Sequence, residues 1–391
     1  MYLQLAVLCL AYVLSQFFRA FLAVLSDVLG RDIGVTPDQL AFSSGLWFAT
    51  FALMQLPVGW ALDRIGPRRT ASVLLGLGGG GGAALFAVAT TAWHIDLAMV
   101  LIGIGCSPVL MASYYIFARQ FPPARFATLA ALMLGVGSVG NLVASYPMAL
   151  AAETMGWRAS LFGLAALSVA VAVGIGLKVR DPDAPEGDAR GTLLDLLKMP
   201  AVWTIIPLMF LAYAPSAAIR GLWMGPYLAE IHGLDTGQVG QATLVMGLAM
   251  ILGTLTYGPL DRMLGTRKWV IFGGNALAAA ALLALAARVE GSVATVVALC
   301  AAVGFFGASF PLIIAHSRAF FPPHLAGRGV TLMNMFGIGG VGAAQFGSGP
   351  LHSAVAATAG APAAYATLFT VFGGLLLFGL AVYLFSRDSM G

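Results

Sequence analysis

Two arginines stand where arginine is costly. Arg19 lies in an apolar run from Gln4 to Gly30, and Arg220 in another from Pro200 to Glu230. If the first run is a helix rising ~1.5 Å per residue, Arg19 is ~22 Å along it. That is past the middle of a ~30 Å hydrocarbon core, with Ala20 to Leu25 still to follow. A guanidinium at such depth costs at least ~2.5–3.5 kcal/mol. Three arrangements account for it. The first is an ion pair with a buried acid, but Asp27 and Glu230, the nearest along the same helices, are eight and ten residues away, ~12–15 Å on a helix. The second is a stem that snorkels to the headgroups. The third is a water-filled cavity holding an anion, since the planar fork matches carboxylate or phosphate oxygens and never loses its charge.

The elements that must carry these side chains follow from composition. The 391 residues are 60% hydrophobic and 9% charged, against about 25% charged in soluble domains. Apolar runs occupy 4–30, 40–62, 71–91, 95–118, 126–151, 159–178, 200–230, 238–260, 269–288, 293–316, 327–350 and 362–386. Hydrocarbon offers no partner to a free backbone N–H or C=O, so all twelve are expected as helices. The apolar start from Leu3 reads as the first of them, not as a removable signal. Fifteen of the twenty basic residues fall in the connections on the side of the termini, and only Arg31, Arg158 and Arg288 on the other. The positive-inside bias therefore places both ends in the cytoplasm. A net charge of +4 with scattered basic residues excludes nucleic acid as a partner. Cys9, Cys106 and Cys300 lie far apart, with neither disulfide nor metal spacing.

The chain also repeats itself. Gly59 to Arg69 recurs as Gly258 to Lys268, with Asp63 and Asp261 198 residues apart; Pro122 and Pro322 are 200 apart, and Gly135 and Gly337 are 202 apart. Arg19 and Arg220 obey the same spacing, at 201. This is a parallel duplication: residues 1–178 and 200–391 as six-helix bundles, joined by a Pro-, Gly- and acid-rich linker at 179–199.

The motif Gly59-x-x-x-Asp63-Arg64-x-Gly66-x-Arg68-Arg69 resembles the signature between the second and third helices of the major facilitator superfamily of secondary transporters. The degenerate copy around Asp261 and Arg262 is similar to that family's second-half copy. The resemblance implies an all-α membrane fold of twelve helices in two pseudo-symmetric bundles that open alternately to either face. It also implies a gating role for Asp63, Arg64, Gly66, Arg68, Asp261 and Arg262. Asp63 ends a helix where its carboxylate can meet the N-terminus of a neighbouring one; the alternative is that the basic residues only fix topology. Arginines on the first and seventh helices resemble the organophosphate/phosphate antiporter branch. The nitrate/nitrite carriers use the second and eighth helices, which lack a basic residue here.

The expected function is therefore transport of a small anion (carboxylate, phosphate or another organic anion) across the inner membrane, the substrate held between Arg19 and Arg220. Tyr114, Tyr115, Asn141, Trp223, Asn334 and Gln345 are further candidate contacts, on helices that line the cavity in that fold. Each alone is as readily an interhelical hydrogen bond. No Asp or Glu occurs in 39–62, 70–95 or 97–152, which favours anion exchange or a proton carried by the substrate. Asp27, Glu230 and His316 are the fallback proton sites. Membrane lipid, a counter-anion or proton, and a monomeric state complete the expectation. No catalytic constellation, cofactor motif or metal site is present in the sequence. The Gly78–Gly82 run lacks a following Gly-Lys-Ser/Thr and reads as close packing or a bend. Met246 and Met250 read as packing rather than a soft-metal site. The rival readings are an exporter of neutral or cationic compounds and a non-transporting assembly factor on the same fold.

Overall fold

The computed structural model describes residues 2–182, 196–322 and 326–389. Most of the linker at 179–199, Arg190 within it, and the side chain of Arg328 lie outside the described residues. Every regular element described is a helix. Nine are individually long and apolar enough to cross a membrane, or eleven when each of two bent pairs is one crossing. The other long element, Ala326–Ala359, runs 34 residues; its glycines together with Asn334, Gln345, Ser348 and His352 make it more polar. These are the twelve spans, named below by order.

The chain divides into two compact units. Unit one comprises Met1–Gly187 and Thr236–Gln241, and unit two Asp188–Asp235 and Ala242–Gly391. Large apolar side chains lie outward on both, among them Leu77, Leu177, Met263 and Phe385, each more than 70% exposed. Such a surface suits lipid and is too large for a soluble monomer.

The long helices depart from straight α-helix at several places, the fifth span among them, which bends by 42° before Tyr146–Met155. The first span breaks between Tyr2–Phe17 and Leu22–Ile33 and bends by 53°. The third contains a π-helical stretch, Leu75–Gly80. The seventh, Pro200–His232, contains another at Ile219–Trp223. The glycine run serves close packing: a Cβ on Gly105 of the fourth span would sit 2.0 Å from the Gly79 nitrogen, and one on Gly78 would sit 2.6 Å from the Leu101 oxygen. Leu77 on the same stretch points outward while Gly78, Gly79 and Gly80 are buried. The tight turns after the second and eighth spans each depend on one glycine with positive φ, Gly66 at 98° and Gly265 at 66°. An L side chain is strained there.

Candidate functional site

Arg19 sits on the break in the first span. Its amide reaches back three residues to the Gln16 oxygen at 3.4 Å, and the Ala20 amide bonds the Phe17 oxygen at 3.0 Å. The α-helical ladder is thus interrupted around the arginine. Its half-buried guanidinium lies 4.8 Å from the ring centre of Phe51 and 5.5 Å from that of Trp47, both on the second span. The aromatic faces attract the cation but supply no counter-charge. Among the described residues no carboxylate pairs with Arg19, and its Nε is buried without a hydrogen-bond partner. Asp27 instead pairs with Arg31 at 2.8 Å on the exposed face of the helix.

Arg220 lies on the π-helical turn of the seventh span and is 3% exposed. It is buried in protein, not turned toward lipid. Three residues on, the Trp223 Nε1–H donates to the Ser348 hydroxyl at 2.9 Å, which donates to the Gln345 backbone oxygen at 2.9 Å. Trp223 also packs against His352 and Tyr365. Gln345 is fully buried, and both polar atoms of its side-chain amide lack a hydrogen-bond partner. Breaks in membrane helices expose backbone groups and mark binding sites in many transporters, and π-turns recur at functional sites. Arg19 occupies such a break and Arg220 such a π-turn, at duplicated positions.

The other predicted contacts are distributed more widely. Tyr114, Asn141 and Asn334 are half-buried, and the Asn141 backbone oxygen accepts from Ser145 at 3.1 Å. Tyr115 stands beside Asp63 and carries the Arg119 guanidinium 4.4 Å above its ring, which ties it to the Gly59–Arg69 motif. Glu230 accepts from Tyr365 at 3.0 Å. His316 is fully buried. Its Nε2 faces the Arg387 carbonyl at 2.9 Å and must donate, so Nδ1 accepts from the Tyr383 hydroxyl at 2.8 Å.

In the Gly59–Arg69 motif, Asp63 and Arg64 are exposed. The carboxylate that caps the third span is Asp181, just after the sixth. It accepts from the Arg68 amide at 2.7 Å and lies 3.5 Å from the Arg68 Nε. The second unit repeats the device. Asp388, after the twelfth span, accepts from the Thr266 hydroxyl and from the Lys268 amide at 3.0 Å. Asp261 is buried and pairs with Arg267 at 3.0 Å, while Arg262 is exposed. Sequence reading missed Asp181 and Asp388, although each follows the last span of its half. It also missed Trp47 and Phe51, whose only linear signal is their spacing of four.

With this geometry in view, the comparisons with known proteins decide the family. The profile described as Major Facilitator Superfamily matches residues 8–223 and 209–390. The chain belongs to that superfamily. It is a multi-pass membrane protein. Among its relatives, a probable sulfoacetate transporter of Cupriavidus necator is 21% identical over 277 residues, 66% of this chain and 64% of that protein. A sialic acid transporter of Escherichia coli is 23% identical over 280 residues, 68% and 66% of the two chains. An efflux pump of Mycolicibacterium smegmatis is 25% identical over 284 residues, 68% and 64%. The matched region thus spans just under two thirds of each relative's length. In structure, a bacterial homologue of the human lysosomal transporter Spinster, inward-facing, superimposes with a TM-score of 0.76 at 18% identity, covering 98% of this chain and 96% of that one. At that identity the likeness concerns the fold alone.

Proposed function

We propose that this major facilitator carries a small organic anion of the carboxylate or sulfonate type by alternating access, with Arg19 and Arg220 supplying the positive charge. The observation that carries the reading is the state of Arg19. Its guanidinium lies within a membrane span, on a helix break, against aromatic rings, with no carboxylate on it among the described residues. An uncompensated charge at that depth is expensive, and a bound anion offsets it. The names of two relatives, a sulfoacetate and a sialic acid transporter, support an anionic cargo and favour carboxylates and sulfonates over organophosphates. Tyr114, Asn141, Asn334 and Gln345 are further substrate contacts in this reading. The Asp63–Arg68 and Asp261–Arg262 motifs gate it. The chain sits in the inner membrane as a monomer with both termini cytoplasmic, and exchanges its anion for another or takes it up with a proton.

The test is uptake into proteoliposomes by wild type, Arg19→Gln and Arg220→Gln, beside ligand-induced thermal shifts of the same proteins. An anion at 100 times its Kd stabilises by about 2.7 kcal/mol, a readable shift. Both variants should lose anion uptake and anion stabilisation. Unchanged anion transport with either arginine neutralised refutes the assignment. The efflux-pump relative favours a second reading, export of neutral or cationic compounds. That reading requires transport to survive in both variants.

A further inference from the structure

The Arg19 site contains more than one buried group without a partner. Trp47 is fully buried, yet among the described residues its indole Nε1–H has no hydrogen-bond acceptor. The Arg19 Nε and the Gln16 Oε1 are in the same condition. The three belong together: Gln16 is the residue whose backbone oxygen receives the Arg19 amide, and Trp47 is the ring beneath the Arg19 guanidinium. The indole nitrogen is part of the ring system whose centre lies 5.5 Å from the guanidinium. Leaving a buried donor or acceptor unpaired carries a desolvation penalty, and buried polar groups in folded proteins are nearly always satisfied. Two donors and one acceptor thus lack partners on Arg19 and on the two residues tied to it by that bond and that ring.

The stacking explains how the guanidinium is presented. Phe51 and Trp47 stack on each other, ring centres 5.1 Å apart, and so meet the guanidinium from one side, while its N–H bonds radiate from the edge of the plane. The edge is thereby left for oxygens. We infer that Trp47 is a substrate-binding residue, whose indole N–H donates to the same oxyanion that Arg19 holds at its edge, while Gln16 accepts from a hydroxyl or amide N–H carried next to that oxyanion. The cargo class that fits is a carboxylate or sulfonate bearing a hydrogen-bond donor on a neighbouring carbon. This deepens the anion-carrier reading and rests on it.

The experiment separates the two. Thermal shifts of the purified full-length protein are recorded against sulfoacetate, sialic acid, and the pair lactate and propionate, which differ by one hydroxyl. The anion giving the largest wild-type shift is then titrated against Trp47→Phe, Gln16→Leu and Arg19→Gln. Trp47→Phe keeps an aromatic ring under Arg19 while removing the N–H along with the second ring, and an unchanged melting temperature without ligand checks that it folds and packs. It should bind about tenfold more weakly, equivalent to about 1.4 kcal/mol. Lactate should stabilise wild type more than propionate, and Gln16→Leu should abolish that difference. Wild-type affinity in Trp47→Phe, with binding lost in Arg19→Gln, overturns the role of Trp47 and leaves the carrier reading standing. Equal shifts from lactate and propionate overturn the role of Gln16. If no anion stabilises wild type, or if Arg19→Gln binds as wild type does, both readings fall.

Discussion

Replacing Asp388 by alanine should loosen the turn that starts the ninth span, by an amount the structure sets. The carboxylate accepts from the Thr266 hydroxyl and from the Arg267 and Lys268 amides, at 3.2 and 3.0 Å for the amides. These are donors at the start of the helix Lys268–Ala287, where no earlier carbonyl is available. Loss of such a cap costs about 1 kcal/mol, and loss of a negative charge at the helix dipole's positive end about 0.3–1 kcal/mol more. Asp388 is exposed, so solvent screening discounts the second figure and leaves about 1 kcal/mol in all. That corresponds to about a fivefold larger local opening constant. Hydrogen exchange at the Arg267 and Lys268 amides should therefore quicken about fivefold in Asp388→Ala at pH 7. Burial pushes the Asp388 carboxyl up, but the bonds from Thr266, Lys268 and Arg267 outweigh it and hold the carboxyl below its ordinary value of 3.8. A depressed folded value means that the stabilisation is present above the unfolded value and disappears only as pH falls through the folded one. The ratio of variant to wild-type rates, corrected for intrinsic exchange, should be flat from pH 5 to pH 8. A ratio of one, or one that titrates between pH 5 and 7, refutes the argument.

Three further outcomes follow from packing and bonding. Gly105→Ala places a methyl 2.0 Å from the Gly79 nitrogen, whereas a Cβ on Gly81 meets nothing within 4 Å; Gly105→Ala should destabilise by at least about 1–3 kcal/mol and Gly81→Ala should raise the melting temperature slightly, both read by thermal unfolding in detergent. Trp223→Phe removes the donor to Ser348 and should cost about 1 kcal/mol in the same assay. Tyr365→Phe strips Glu230 of its hydroxyl donor; if Glu230 carries the coupling proton, the pH profile of uptake should move in this variant, and an unmoved profile with wild-type rate assigns coupling elsewhere.

Some features could be read along the chain because they depend on one residue and its neighbours. Burial in hydrocarbon is an additive property of consecutive side chains, so apolar runs located the spans. Charge in the short connections is equally local. The duplicated Asp-Arg landmarks and the paired arginines needed only a comparison of the sequence with itself. That Arg19 is a permanent cation at a costly depth followed from residue type and position.

What surrounds that cation came from packing. Trp47 and Phe51 are distant from Arg19 in sequence, and nothing in an apolar helix says which of its faces a neighbour will cover. Interhelical contacts depend on the complementarity of two surfaces, a property of pairs that hydropathy does not contain. The bend at Arg19 and the π-turn at Arg220 carry no proline of their own, the nearest being Pro215, so the lost backbone bonds have no local signature. Asp181 rather than Asp63 caps the third span, because the sixth span ends beside that helix start. Linear order thus settled which groups would be costly to bury, and the folded arrangement settled which neighbours meet them.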